Sequence, residues 1–326
     1  MESLKRLFFL LLIPALVFTG CKDEDEPTPV TPPVDSPYAT MTAYIIANDL
    51  DLPNILDGWI ISAPAEADLT TFLDGYTVLD IRGTDDYNSG HMNGAINSSL
   101  GTILDDAAAS TKPVLVTCYT GQTAGHAVVA LRLSGHPDAK VLKWGMSGWG
   151  SSTAGPWSGN SGDNGNNAID NINWTTAAVA TVKEFGNPTF TSTSTDPATI
   201  LKERISYMLE NGFKGVTSTD VLANPGNYFI NNYWPAADVD HYGHIAGAFR
   251  IQPMSLATGD FKNLDPNETV VTYCWTGQTS SMITAYLTVL GYDAKSLKFG
   301  ANNMIYSNLE SHKYVPPSVD LPVVTE

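Results

Sequence analysis

Basic residues are scarce in this chain of 326 residues: 17 Lys and Arg stand against 34 Asp and Glu, a formal net charge of −17. A surface so acidic repels a phosphate backbone at long range, which excludes nucleic acid as a partner and leaves any small anion to be captured by local donors. Cysteines number only three, too few to read as a disulfide framework. No Cys/His cluster has the spacing of a metal site, and there is neither a phosphate-binding P-loop nor a dinucleotide fingerprint, so no metal and no cofactor is implied. The apolar run from Leu7 to Phe18 is too short to span a bilayer stably. What is present, 43% apolar and 10% aromatic residues, is enough to bury real cores in two domains.

Lys5 and Arg6 precede that run, and the small residues Thr19 and Gly20 close it before Cys21, the pattern of a secretory signal. The segment resembles the lipobox of bacterial lipoproteins, with Phe18 in place of the usual Leu. The resemblance implies that residues 1–20 are a signal peptide and that Cys21 is diacylated as the first mature residue; an ordinary cleaved signal beside a free cysteine is the competing reading. Residues 21–37, Lys22-Asp23-Glu24-Asp25-Glu26 followed by a Pro- and Thr-rich stretch, read as a solvated tether. The Lys-plus-acidic start is similar to a sorting signal that sends some Gram-negative lipoproteins to the outside of the outer membrane. The expectation is a cell-envelope protein, lipid-anchored to the outer membrane and surface-exposed. Without residues 1–20, which carry Glu2, Lys5 and Arg6, its charge would be about −18.

The rest of the chain is a duplication. Val114-Leu-Val-Thr-Cys118-Tyr-Thr-Gly-Gln-Thr123 has a near copy in Val270-Val-Thr-Tyr-Cys274-Trp-Thr-Gly-Gln-Thr279. Upstream, Gly90-His91-Met92-Asn93-Gly94-Ala95 matches Gly243-His244-Ile245-Ala246-Gly247-Ala248; downstream, Leu142-Lys143-Trp144-Gly145 matches Leu297-Lys298-Phe299-Gly300. His91 to His244, Cys118 to Cys274 and Leu142 to Leu297 give offsets of 153, 156 and 155 residues, so insertions between copies are small. Copy one is placed at 38–155 and copy two at 193–326. Between them, 156–192 reads as a flexible linker, since nearly every residue from about Gly150 to Ala168 is Gly, Ser, Asn, Asp, Thr or Ala. Trp157 and Trp174 are exceptions, expected to pack back onto a neighbouring domain.

Each copy opens on a helical pattern, Met41 to Leu50 and Ala198 to Leu209. The short β-branched runs before each cysteine read as buried parallel strands. After the loop, Met282, Ile283, Tyr286, Leu287 and Leu290 recur at helical spacing and stop at Gly291; Val128, Leu131 and Gly135 do the same in copy one. The order strand, tight loop with cysteine first, helix predicts an α/β fold, each copy a mainly parallel sheet flanked by helices. Such a loop turns successive N–H groups inward as an anion cradle, with Gly121 and Gly277 letting the backbone curl. A helix dipole is worth about 0.3–1 kcal/mol, roughly 2 when partly buried, against about 1.4 kcal/mol per pKa unit. Both thiols are therefore expected to ionise below the ordinary range.

Together the two Cys-x-Thr-Gly-Gln-Thr loops, the two Gly-His-x-x-Gly-Ala segments, Asp80-Ile81-Arg82 and the Gly145 and Gly300 turns resemble the rhodanese (thiosulfate sulfurtransferase) superfamily, in tandem. The resemblance implies two rhodanese-like domains, with Cys118 and Cys274 as persulfide carriers. Tyr119, Thr120, Gly121, Gln122 and Thr123, and Trp275, Thr276, Gly277, Gln278 and Thr279, would be their substrate-binding cradles. Arg82 joins the substrate side, with pairing to a neighbouring carboxylate as its structural reading. The implied function is a sulfurtransferase that passes sulfane sulfur from a donor such as thiosulfate or polysulfide, through a cysteine persulfide, to an unidentified thiophilic acceptor. The implied partners are thus a small sulfur-containing anion and that acceptor.

Tyr119 and Trp275 stand where many thiosulfate-using members carry Arg, which argues against thiosulfate as the natural donor. Copy two has Asn231-Asn232-Tyr233-Trp234 where Asp-x-Arg is expected, so copy one is expected to load sulfur faster. His91 and His244 read as structural. His126 has no counterpart, since Met282 falls there, and Lys143 and Lys298 are candidates for the cradle rim. The alternative to transfer chemistry is a non-catalytic module binding a small anion or a partner protein. Phosphatase loops of related shape are longer by a residue and end in Arg, unlike these.

Overall fold

The computed structural model describes residues 36–326. The signal peptide, Cys21 and nearly all of the acidic tether lie outside the described residues. Among the described residues no helix is long and apolar enough to cross a membrane.

Copy one builds a five-stranded parallel sheet from β1 (Ile60–Ile61), β2 (Thr77–Asp80), β3 (Ile96–Asn97), β4 (Val114–Thr117) and β5 (Lys140–Leu142), in the order β1-β5-β4-β2-β3. Strand β6 (Trp174–Thr175) belongs to the connecting segment. Copy two has β7 (Gly215–Val216), β8 (Phe229–Asn232), β9 (His244–Ile245), β10 (Val270–Tyr273) and β11 (Ala294–Leu297). Four of these form a parallel sheet ordered β7-β11-β10-β8, while β9 pairs antiparallel with β6. Every residue of β4 and β10 is buried, as strands covered on both faces require. Both cysteines follow these interior strands at their C-terminal ends, where open α/β sheets place their sites.

The opening helices begin alike. Pro37 and Pro197 occupy the first turn, while Ser36 and Asp196 accept from the N–H of Ala39 and Thr199 at 3.2 and 2.8 Å. They run Pro37–Ala47 and Pro197–Asn211 and pack on one another across the two copies.

The helices after the cysteines, Gln122–Leu133 and Gln278–Leu290, are buried almost all round and pack on each other. A helix apolar on every side belongs inside a core, and here the core is shared. Val116 and Leu131 of copy one lie in one apolar cluster with Val270 and Leu287 of copy two.

The flexible linker expected between the copies is instead folded. Residues 150–168 form the short turns Ser151–Thr153, Gly155–Ser158 and Gly162–Asn164, and both Trp157 and Ala168 are fully buried. Small residues lower the cost of disorder but also permit close approach. A Cβ on Gly165 would sit 2.1 Å from the Asn302 carbonyl oxygen, and Asn303 bonds Asn160 and Asn167. The boundary 193–326 is likewise crossed, because the tail returns to copy one. Leu321 N–H donates to the Trp149 carbonyl at 3.0 Å, and His91 and Val324 exchange backbone bonds.

Asp51 holds the copies together at another point. Its buried carboxylate accepts from Ser255 Oγ (2.6 Å), Leu256 N–H (3.0 Å) and Ala257 N–H (3.2 Å) of copy two, and from Leu52 N–H (2.7 Å) of its own helix start. Removing the carboxylate leaves the buried Leu52 N–H and three partly buried donors unmatched. Asp51→Ala is expected to cost about 2 kcal/mol in urea-unfolding free energy, whereas an unchanged midpoint would deny the clasp any weight.

Candidate functional site

The two cysteine loops are built by the same rule: their carbonyls are held from outside so that their N–H groups face the sulfur. In copy one the Cys118 carbonyl accepts from Met146 N–H (2.8 Å). That of Tyr119 accepts from Ser147 N–H (3.1 Å), and that of Thr120 from Trp157 Nε1–H (3.0 Å) and Gln278 Nε2–H (3.2 Å). The N–H groups of Gly121 and Ala124 then point at Cys118 Sγ, 3.1 and 3.4 Å away. In copy two Ala301 N–H holds the Cys274 carbonyl (3.0 Å), Asn302 holds that of Trp275, and Ser280 N–H reaches Cys274 Sγ at 3.3 Å. Gly121 and Gly277 adopt φ of 78° and 74°, as the cradle geometry expected.

The expectation of a lowered thiol pKa fails at Cys118. Both sulfur-bearing residues are only 2% exposed and neither forms a disulfide. Burial pushes the Cys118 thiol up, and the backbone donors of Ala124, Thr120, Gly121 and Thr123 offset this only in part. Desolvation of an anion outweighs a helix terminus when the sulfur lies beneath the surface.

Arg82 is taken up by a carboxylate. Its guanidinium grips Asp80, with Nη2 2.6 Å from Oδ2 and Nε 3.0 Å from Oδ1, and Nη2 also donates to the Gly90 carbonyl at 2.7 Å. This is the carboxylate pairing weighed for Arg82 against a substrate-side role, and it ties the end of β2 to the Gly90-His91 turn. The strand registers Asp80 with Thr117 and Asn232 with Tyr273 place Asn232 where copy one has Asp80, hence Trp234 where it has Arg82. Trp234 stacks on Trp275 at 4.2 Å, and His312 stacks on Trp275 at 5.2 Å. Aromatic packing in copy two thus replaces the ion pair of copy one.

Gln122 and Gln278, expected to line the cradles, reach across to the opposite copy. Gln122 Oε1 accepts from Phe299 N–H at 2.9 Å, Gln278 Nε2 donates to the Thr120 carbonyl, and both side chains are buried. Glycine is required opposite each of them: a Cβ on Gly277 would lie 2.5 Å from Gln122 Oε1, and one on Gly121 would lie 2.1 Å from Gln278 Nε2. The Thr-Gly-Gln repeat therefore joins the two loops, and no pattern within a single loop reveals that.

Of the remaining cradle residues, Thr120, Thr123, Trp275, Thr276 and Thr279 are partly buried. Tyr119 is 39% exposed and its hydroxyl donates to Asp86. His91 stacks on Tyr87 and contacts its carbonyl through Nδ1, while the His244 ring lies between the Ile245 and Ala177 carbonyls, as structural histidines do. Lys143 lies over the Trp144 ring rather than over a sulfur, and the Lys298 stem packs beside Gly215. Trp157, expected to pack on a neighbouring domain, does so between Trp144 and Phe299, at 4.7 and 5.0 Å. Sequence reasoning missed Ser280, which lies beside Cys274, and Ser296 behind it, neither with a hydroxyl counterpart in copy one. The signal was available at the Ala124-to-Ser280 mismatch just past the loop. Among the described residues no group of His, Cys, Asp or Glu is arranged to hold a metal ion.

Two parallel α/β units, each with a cysteine at the C-terminal end of an interior strand and a glycine-backed loop whose backbone N–H groups reach its sulfur, two at Cys118 and one at Cys274, define a tandem sulfur-cradle architecture. The rhodanese-like domain family matches residues 65–152 and 228–305, together just over half of the chain, and the protein belongs to that family. Among solved structures, a rhodanese-related protein from Thermoplasma volcanium is 25% identical over 28% of this chain and 89% of its own (TM-score 0.25). Thiosulfate sulfurtransferase from Pseudomonas aeruginosa is 15% identical over 86% of this chain and 49% of its own (TM-score 0.28). The 3-mercaptopyruvate sulfurtransferase from Leishmania major is 13% identical over 77% and 75% (TM-score 0.27). No curated protein matches the chain.

Proposed function

We propose that the protein is a sulfurtransferase of the cell envelope, lipid-anchored to the outer membrane through Cys21, that carries sulfane sulfur as a cysteine persulfide. The observation that carries this reading is the set of inward donors at each buried sulfur: the N–H groups of Gly121 and Ala124 at Cys118, and the N–H and hydroxyl of Ser280 at Cys274. A cysteine thiolate attacks the outer sulfur of a donor such as thiosulfate or a polysulfide. One S–S bond forms, the donor's S–S bond breaks, and sulfite or the shortened polysulfide departs with the electron pair. The cradle then holds the persulfide anion until an acceptor thiolate takes the terminal sulfur and restores the cysteine thiolate. Tyr119 and Trp275 stand beside the cysteines in place of an Arg that could grip a sulfonate, which favours polysulfide or a persulfide over thiosulfate.

The burial of both sulfurs favours a second reading, a module that binds a small anion or a partner protein without turnover. Incubating the folded protein with a polysulfide or thiosulfate and weighing it intact separates the two. A gain of one sulfur atom per reactive cysteine, discharged by an added thiol, is the expected result. No adduct with either donor would leave binding as the function.

A further inference from the structure

The two sulfurs do not sit in equivalent surroundings. Ser280 Oγ lies 3.6 Å from Cys274 Sγ and 2.8 Å from Ser296 Oγ, and Ser296 Oγ lies 3.3 Å from the Gly277 carbonyl oxygen. Both serines are fully buried. In copy one the matching residues are Ala124, six positions after its cysteine as Ser280 is after Cys274, and Val141, which pairs with Val116 as Ser296 pairs with Thr272. Copy one thus offers Cys118 backbone donors alone.

We infer that Ser280, backed by Ser296, holds the Cys274 sulfur in its anionic form and makes copy two the leading sulfur carrier. The inference rests on the sulfur-transfer reading for its role, but its chemistry is that of the thiol itself. With the thiol neutral, S–H donates to Ser280 Oγ, Ser280 to Ser296 Oγ, and Ser296 to the Gly277 carbonyl. When Cys274 loses its proton to solvent, the Ser280 hydroxyl rotates and donates to the thiolate, and Ser296 donates to Ser280 or stays on Gly277. No heavy atom moves. The chain ends on a carbonyl, which takes up no proton, so it reorients around the charge without conducting it. A hydroxyl that can turn its dipole toward a buried anion stabilises it where water cannot, and the same donor serves the persulfide that follows. The ranking expected from Asp80 and Arg82 is thereby reversed, because Arg82 is spent on Asp80 and the Gly90 carbonyl while Ser280 touches the sulfur.

The test is iodoacetamide alkylation against pH on the full chain, read separately at each cysteine by peptide mass. Cys274 is expected to alkylate faster than Cys118 at neutral pH. Ser280→Ala, which installs the residue of copy one, should raise the Cys274 midpoint by about one pH unit, slow its alkylation at neutral pH about tenfold and leave Cys118 unchanged. Ala124→Ser should lower the Cys118 midpoint. An unmoved Cys274 profile in Ser280→Ala overturns the inference, even if the wild-type protein takes up sulfur from a polysulfide. A shifted profile in a protein that accepts no sulfur upholds the serine effect and removes the sulfurtransferase reading instead.

Discussion

Gly300→Ala is expected to destabilise the protein by more than about 3 kcal/mol and to disorganise the Cys274 cradle. Gly300 sits at φ 53° and ψ −136°, a region open to glycine and strained by roughly 1–3 kcal/mol for other residues. A Cβ there would also meet the Cys274 carbonyl oxygen at 2.1 Å, and Gly277 N and the Trp275 carbonyl carbon at 2.9 Å each. These are backbone atoms of the loop itself, so the clash is relieved only by moving the loop. Gly145→Ala should act alike on copy one, where its Cβ would lie 2.4 Å from the Cys118 carbonyl oxygen. Gly94→Ala is the control: φ is 76°, but nothing lies within 4 Å, so only the conformational penalty of about 1 kcal/mol applies. Urea unfolding of the three variants, with alkylation rates at both cysteines, gives the comparison. If Gly300→Ala costs no more than Gly94→Ala, close backing of the loop does not matter.

His126 should make the protein acid-sensitive. It is fully buried on the helix Gln122–Leu133, both ring nitrogens lack hydrogen-bond partners, and its ring meets Phe213 of copy two edge-on at 6.2 Å. Burial lowers its pKa to about 4 and the Lys214 charge adds to this, the Met208 backbone opposing without reaching hydrogen-bond geometry. The unfolded chain takes up this proton near the ordinary value of 6.5, before the folded chain can. Stability from a neutral His126 is therefore complete above pH 6.5 and lost as pH falls toward 4, by about 3 kcal/mol across that window. His126→Met, the residue of copy two at this position, should remove that component while leaving neutral-pH stability equal or higher, since two orphan polar atoms disappear. Unfolding free energies of both proteins at pH 7, 5 and 4 should diverge as the pH falls. Parallel curves would show that His126 finds a partner or water.

Much of the site was legible because duplication exposes it. Two cysteine loops, two Gly-His turns and two downstream glycines in constant order identify the strand-loop-helix unit, and φ near +75° at Gly121 and Gly277 follows from the tight turn they make. The helix starts at Pro37 and Pro197 are also local, resting on a capping side chain and a fixed proline φ. Sequence pattern misleads where a residue's role depends on what lies opposite. Residues 150–168 have the composition of a flexible linker, yet Trp157 and Gly165 fit against surfaces distant in sequence. The motif puts Arg82 near the loop, while its partner is Asp80, two residues away.

The order of motifs in the chain by itself determined the α/β class, the duplication and the identity of the two sulfur atoms, because strand, glycine turn and helix are set by short-range sterics and hydrogen bonding. Only the tertiary structure decided that Gln122 and Gln278 bridge the loops, that a serine pair attends Cys274 alone, and that burial of Cys118 overrides its donors. Those outcomes depend on which groups remain without water once the copies share a core, and desolvation belongs to the packed assembly rather than to any segment of it.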